Sequence, residues 1–413
     1  MANIPLFNVA TLAFLIPAAA AHANEWYSQF TASSRTEYND NYRFSTLPHR
    51  AEWVNVLYPS VAVANKADRW SIAATGGAAA NSYAGENRNH RIDPRFSVIA
   101  IYSGERYRGG IDIAAVRDST LANAQTGAGV ILADAERNSL SMNPTWQFSL
   151  TERVALNIGY GLTDVSYGAG MYNGLFNYQN KTLNADVGYQ YSSMGTANAS
   201  INYFQYRTRH TEIASKGYNA LIGFSQKFTE RLAGTLNVGE YRTSTTVHQD
   251  ISYCPGRIYE CYFGLMAYEK TTVTRQFPAR GYSGGAMIEG KLTDATKIQT
   301  KFDRSISPSG AGAIAQTDKL MIYISTQWFA KLDLTLDASV YRSKYSAGTQ
   351  TINNSRYYAV SPLLRWNFKE AWSLESGVRR ARLHYDSGAT IIANAIFAGL
   401  RYDGHKNFGS RRH

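Results

Sequence analysis

The chain has 413 residues and a net charge of +11, with 18% charged residues, 13% aromatics led by 29 Tyr, 33 Gly and 10 Pro. Beyond the amino end no apolar run approaches the ~18 residues that a spanning helix needs, and 44% hydrophobic residues is too many for a disordered chain. What remains is a globular all-β protein or a transmembrane β-barrel, with a positive charge still to be placed.

The amino end reads as an address. Leu6 to Ala21 is apolar and interrupted by Pro17, and Ala21-His22-Ala23 is an A-x-A cleavage pattern. Residues 1–23 therefore read as a signal peptide and Asn24 as the mature start, although no Lys or Arg precedes the apolar run; an uncleaved anchor is the alternative. Export then fits the cysteine usage. Cys254 and Cys261, with six residues between them, suit one disulfide in an oxidising compartment and are too few for a metal site made of cysteines.

From Trp26 onward the pattern has period two. Val154, Leu156, Ile158, Tyr160 and Leu162 oppose Ala155, Asn157, Gly159, Gly161 and Thr163. Leu183, Ala185, Val187, Tyr189 and Tyr191 oppose Thr182, Asn184, Asp186, Gly188 and Gln190, and Leu320, Ile322, Ile324, Thr326 and Trp328 oppose Lys319, Met321, Tyr323, Ser325 and Gln327. The polar faces are mostly Ser, Thr, Asn, Gln and Gly. That mixture suits a watery lumen, and the apolar faces suit lipid.

Very short turns fall at residues 66–69, 104–105, 151–153, 193–195, 229–231, 293–296, 329–331 and 368–371. Between them lie longer polar connections near 39–49, 85–92, 119–137, 167–180, 208–216, 246–280, 307–317, 346–355 and 386–389. Strict alternation of short and long is the habit of an outer-membrane barrel, with short periplasmic turns and longer outer loops. These connections give an antiparallel up-and-down barrel of about eighteen strands over residues 24–402. Sixteen stays open because Thr46 to Ala64 contains Pro48 and Pro59. All seven Trp fall within or at the ends of these strands, as an interfacial girdle requires. The expected location is the cell outer membrane.

Alternation assigns Arg106, Arg108, Lys227, Lys291, Lys297, Lys301, Lys319 and Arg365 to the lumen, together with Asp112, Asp186, Glu289, Asp303, Asp333 and Asp337. Lys and Arg along a pore concentrate anions; the competing reading is a lumen whose charges merely pair across strands. Arg207, Arg209, Arg342, Lys344, Arg379, Arg380 and Arg382 add charge toward the outer half, where lipopolysaccharide phosphates are the alternative partner. The longest connection, Val247 to Arg280, holds both cysteines and reads either as an outer surface loop or as one that folds inward to narrow the pore. Residues 403–413 form a basic tail, read as a periplasmic extension.

No catalytic constellation stands out. Gly281-Tyr282-Ser283-Gly284-Gly285 matches the G-x-S-x-G nucleophile pattern, but it opens a strand rather than a strand-to-helix turn. His210 and His384 lie near outer strand ends without a partner fixed by spacing. No enzyme, cofactor or metal site is expected, and export argues against nucleic acid as a partner.

The segment Glu37-Tyr38-Asn39-Asp40-Asn41-Tyr42-Arg43-Phe44 closes the first strand. Its Tyr-x-Asp-Asn step near the mature start resembles the opening of the β-barrel porin 2 family. That family is similar to the outer-membrane barrels encoded beside exopolysaccharide synthesis genes. A more distant likeness is to the eighteen-stranded alginate export barrels, without a specific alginate-exporter motif. The resemblance implies passage or anchoring of a secreted polysaccharide and no catalysis. The sequence expectation is therefore a passive outer-membrane channel exporting an acidic exopolysaccharide, with a general porin for small anions or a closed structural barrel as alternatives. Its partners would be outer-membrane lipid, lipopolysaccharide, the acidic polymer or small anions, and a periplasmic secretion partner.

Overall fold

A computed structural model of the chain describes residues 25–46, 51–84, 90–120, 135–168, 175–209, 213–255, 269–309, 314–346, 354–404 and 407–410. Residues 1–23, expected from sequence to be a signal peptide, lie outside the described residues, as do Cys261 and His210. The strands are β1 (Glu25–Asn39), β2 (Glu52–Lys66), β3 (Trp70–Ala84), β4 (Arg91–Ser103), β5 (Tyr107–Ser119), β6 (Glu136–Ser149), β7 (Val154–Tyr167), β8 (Tyr178–Ser192) and β9 (Gly195–Thr208). They continue as β10 (Ile213–Thr229), β11 (Leu232–Tyr253), β12 (Glu269–Lys291), β13 (Thr296–Pro308), β14 (Ile314–Phe329), β15 (Leu332–Ser346), β16 (Ser355–Lys369), β17 (Trp372–Tyr385) and β18 (Thr390–Asp403).

Each strand pairs antiparallel with its sequence neighbours, and β18 returns to β1 from Thr31↔Asp403 to Asn39↔Ala395. The wall is a closed, eighteen-stranded, up-and-down barrel. Closure gives each of the eighteen strands two partners, which removes the free edges of an open sheet; the β12–β13 pairing stops at Gly284↔Arg304. A short strand, β19 (Asn407–Ser410), pairs with residues 25–28 at the lower end of β1, so part of the basic tail adds to the wall. Pro59 does not break β2. It sits opposite Ala32 of β1, and the pairing with β3 skips Tyr58 and Pro59 before resuming at Ser60↔Gly77.

The two faces follow the register. Directly opposed residues share a face, and the outward set includes Phe30, Val61, Leu140, Leu183, Ile201, Ile222, Phe224, Leu236, Val238, Ile288, Val378 and Ile396, all exposed. Trp26, Trp146, Trp328, Trp366 and Trp372 ring the short-turn end, while Trp53, Tyr203, Tyr218 and Tyr358 ring the other. Tyr218 and Phe228 on β10 are ten residues apart. At ~3.3 Å per residue and ~45° tilt they span roughly 23 Å, about the height of an outer-membrane apolar belt. Strands at ~4.8 Å spacing and ~40° tilt enclose a ring roughly 36 Å across, backbone to backbone. Side chains cannot fill such an interior as they do in an eight-stranded barrel.

The hairpin β11–β12 departs from the sequence expectation. Its ladder runs unbroken from Leu232↔Gly290 to Tyr253↔Glu269, so most of the connection read between Val247 and Arg280 is strand rather than loop. Polar residues alternate along both members, and that pattern supports a ladder in water as well as an irregular loop. β12 stays paired with β13 only from Lys291↔Lys297 to Gly284↔Arg304. The ladder ends at Gly284, whose φ of +153° suits glycine and where a Cβ would lie 2.3 Å from the Asn237 carbonyl oxygen. The G-x-S-x-G match is thus a strand segment where two neighbours part. Ser283 there donates a hydrogen bond to Asn219 Oδ1.

Candidate functional site: the lumen and its outer constriction

The lower lumen, toward the short turns, is divided by chemistry. Along β7–β11 the inward side chains of the lower lumen are mostly amides and hydroxyls, with Asp186 and Lys227 among them. Asn157 and Asn198 both donate to the Asp186 carboxylate, at 3.1 and 3.0 Å, and the Ser225 and Thr235 hydroxyls lie 3.1 Å apart. These residues line a recess of about 550 Å³. Along β10 and β12–β14 the inward residues include Lys227, Lys291, Lys297, Lys301 and Lys319, with Glu289 and Asp303 among them. Lys227, Lys291, Lys297 and Lys301 are exposed to the lumen.

The charges divide sharply by residue type. All the ion pairs among described residues in the lumen use arginine. Arg365 pairs with Glu375 at 2.8 Å, and Glu37 accepts from Arg35 at 2.5 Å and from Arg379 at 2.7 Å. No ion pair within 4.0 Å holds any of the five lysines among the described residues. Lys319 instead stands 4.7 Å from the centre of the Tyr341 ring, a cation–π distance. Of the lumen residues expected from sequence, Arg365 is thus neutralised, and the lysines gather on one wall. Arg108 faces the lumen from β5 opposite Gln147, and Arg106 lies in the turn before β5, where its carbonyl accepts from Ser149. Arg379, which the sequence places toward the outer half, faces the lumen, because its register partner Ala395 lies on the lumen face.

The outer half is different. The inward residues Tyr341, Tyr357, Ala381, Leu383, Ile391 and Ala393 form a buried apolar cluster, and its remaining buried member is Phe44 from the first outer loop. Residues 40–46 therefore fold into the barrel mouth and lie on the inner wall of β15–β18. Asn41, 2% exposed, holds the base of this loop. Its amide nitrogen donates to the Ile392 and Ser45 carbonyls at 3.0 and 2.9 Å, and its side-chain oxygen accepts from the Ser45 backbone at 3.0 Å. Tyr42 packs edge-on against Tyr83 with ring centres 5.5 Å apart. Phe44 reaches Tyr357 at 6.0 Å and has φ of +54°, a left-handed conformation that costs a residue with a side chain ~1–2 kcal/mol.

A second segment enters from the opposite side. Tyr206 on β9 faces the lumen and its hydroxyl donates to the Ser309 carbonyl at 2.9 Å, although four strand steps separate β9 from β13. Tyr241 on β11 likewise donates to Gln316 Oε1 at 3.0 Å. Only a β13–β14 end turned into the barrel makes both contacts. Ile314 and Ala315 there are buried. Among the described residues the mouth is narrowed from two sides; residues 256–268 of the cysteine-bearing connection lie outside them. Cys254, at the end of the β11–β12 hairpin, is in a disulfide.

The sequence offered one signal for the constriction: Tyr341, Tyr357, Leu383 and Ile391 break the polar-inside pattern. Four apolar inward residues need a cover, but their spacing along the chain does not name Phe44 as that cover. Of the histidines singled out, His384 Nδ1 lies 2.8 Å from the Thr390 hydroxyl. No group of three or more His, Cys, Asp or Glu among the described residues is placed to hold a metal ion.

An apolar outer belt between two aromatic rings, short turns at one end and a closed antiparallel wall define a β-barrel of the cell outer membrane. No protein-family profile matches the chain, and no curated protein does. Among solved structures it is similar to the outer membrane channel DcaP of Acinetobacter baumannii, at 9% identity and a TM-score of 0.45, covering 93% of this chain and 98% of that one. OccAB4 of the same organism gives 9% identity and a TM-score of 0.47, with 92% and 98% covered. The ferric-catecholate import receptor Fiu of E. coli K12 gives 10% and 0.45, with 91% and 81% covered. Likenesses this weak carry no cargo, direction or partner over to this chain. The resemblance to the β-barrel porin 2 family rests on residues 37–44 alone.

Proposed function

We propose that the protein is a passive outer-membrane channel for anionic, hydroxyl-rich solutes, and that its cargo is an acidic exopolysaccharide on its way out. The observation that carries this reading is the wall of five lumen lysines without carboxylate partners among the described residues. A flexible ammonium on a four-carbon stem offers a mobile point charge rather than a fixed carboxylate fork, which suits a polymer that must slide rather than dock. Binding that is favourable but shallow and repeated is the condition for conduction. The amide and hydroxyl wall of β7–β11 complements this, because Asn, Gln, Ser and Thr can exchange hydrogen bonds with sugar hydroxyls without holding charge.

A second reading has its own support. The mouth narrowed by residues 40–46 and by the β13–β14 end suits a porin for small anions better than a conduit for a chain. Conductance in planar bilayers, followed by blocking with graded acidic oligosaccharides, separates the two. Polymer export requires that oligosaccharides added from the periplasmic face enter and block current in a length-dependent way. Block by monosaccharide acids alone assigns the porin. A cation-selective channel refutes both.

A further inference from the structure

Some outward arginines of the outer half carry a carboxylate partner. Arg209 is paired with Asp164, and Arg242 with Glu240 at 2.9 Å. The outward face of β15–β17 gathers four arginines that carry none among the described residues. Arg342 stands directly opposite Arg356, Arg356 directly opposite His384, and Arg382 directly opposite Tyr358 and Ile392. Arg342, Arg356, Arg380 and Arg382 are exposed, and no described carboxylate lies within 4.0 Å of any of them. Two acids stand nearby and are already engaged. Asp318 binds Arg304 through both oxygens, and Asp40 accepts from the Asn394 backbone and side chain through its two oxygens, each at 2.7 Å. Arg342 faces Asp318 on its other side, but no carboxylate stands opposite Arg356, Arg380 or Arg382; like charges directly opposed across a ladder are unfavourable, so this part of the patch lacks an anion.

What lies below the patch says which anion. A groove of about 420 Å³ runs down the outward face, lined by Leu320, Ile322, Ala338, Val340, Tyr358 and Val360, and it ends at Arg380 and Arg382. The small side chain of Ala338 between larger neighbours makes the depression. This face looks into the bilayer, on the side of the longer connections, which is the outer leaflet. A phosphate head above an acyl tail matches the order of charge and groove. The guanidinium fork suits phosphate oxygens, and the arginine stems can lie along the apolar wall with their heads raised to the interface.

We propose that the outward face of β14–β17 is a binding site for a bisphosphorylated glycolipid of the outer leaflet, of the lipid A class, with Arg342, Arg356, Arg380 and Arg382 on its phosphates and the groove below Tyr358 taking an acyl chain. The site faces lipid, so it is independent of what passes through the lumen. Its test is native mass spectrometry of the full barrel in neutral detergent, titrated with bisphosphoryl lipid A, fully dephosphorylated lipid A and phosphatidylglycerol. The expected result is retention of the bisphosphoryl form, at least tenfold weaker binding in Arg356→Gln/Arg382→Gln, and recovery in Arg356→Lys/Arg382→Lys. Lys297→Gln/Lys301→Gln, altered only in the lumen, binds as the unaltered protein does. Equal retention of phosphorylated and dephosphorylated lipid overturns the proposal, as does equal binding by the Gln variant. Phosphatidylglycerol bound as tightly as lipid A overturns the glycolipid assignment. Heat-modifiable migration on gels verifies that each variant is a folded barrel, and unchanged conductance in the Gln variant separates this site from the channel reading.

Discussion

Replacing Phe44 by Ala tests whether the first outer loop is the constriction. The ring is 5% exposed and completes the cluster of Tyr341, Tyr357, Leu383 and Ile391. Taking about 150 Å² of ring surface at ~25 cal/mol per Å² gives roughly 3–4 kcal/mol lost from the docked loop. That is a shift of more than about a hundredfold in the ratio of docked to undocked states. The strained φ of +54° supplies an internal control. Alanine keeps the left-handed penalty while glycine removes it, so Phe44→Gly should lose about 1 kcal/mol less than Phe44→Ala. The loop base stays anchored, because the Asn41 bonds to Ile392 and Ser45 do not involve the ring. Single-channel recording in symmetric potassium chloride should then show higher mean conductance and more frequent transitions for both variants, with Ala beyond Gly. If Phe44→Ala forms a heat-modifiable barrel whose conductance and transition frequency match the unaltered protein, the loop does not limit the pore.

Four other outcomes are expected. Converting Arg106, Arg108, Lys297 and Lys301 to Gln should lower the anion-to-cation permeability ratio measured from reversal potentials under a salt gradient; an unchanged ratio removes the lysine wall from the permeation path. Glu37→Gln leaves Arg35 and Arg379 without their shared carboxylate, and because both arginines are partly solvated the cost should be about 2 kcal/mol rather than the ~3–5 kcal/mol of a fully buried pair. Urea unfolding in detergent reads this as a lower midpoint. Asn41→Ala removes the anchor of the loop base and should add to Phe44→Ala in the conductance assay, each hydrogen bond contributing ~1 kcal/mol. Cys254→Ser should speed amide exchange at the end of the β11–β12 hairpin while leaving conductance unchanged, since that ladder continues well above the end of the β12–β13 pairing; altered conductance would return the hairpin to the list of pore-narrowing elements.

The eight short turns and the strands that flank them were legible because the information is local. A strand with lipid on one side and water on the other must alternate, and a tight turn must interrupt it. Val154–Tyr167, Tyr178–Ser192 and Ile314–Phe329 accordingly include the segments whose faces the period defines. Pro59 left β2 ambiguous because the tolerance of a proline depends on which neighbouring bonds are skipped, and that is a property of the pair β2–β3. The connection around the cysteines was too long in the sequence reading, since polar residues satisfy a solvent-exposed ladder and a loop alike.

The candidate site divides along the same line. The facing of Lys297, Lys301 and Lys319 follows from parity alone. Whether a charge is neutralised does not, because Arg365 finds Glu375 and Arg379 finds Glu37 only through cross-strand register and barrel closure. Phe44 and Leu383 are more than three hundred residues apart in sequence and meet because β18 closes on β1. The amino-acid sequence by itself determined a two-faced wall of about eighteen strands, with sixteen left open, since each strand answers to its immediate solvent on either side. Only the tertiary structure decided where the mouth narrows, which charges stay free in the lumen, and which arginines face lipid together. Those properties belong to strands brought side by side, and no local pattern encodes them.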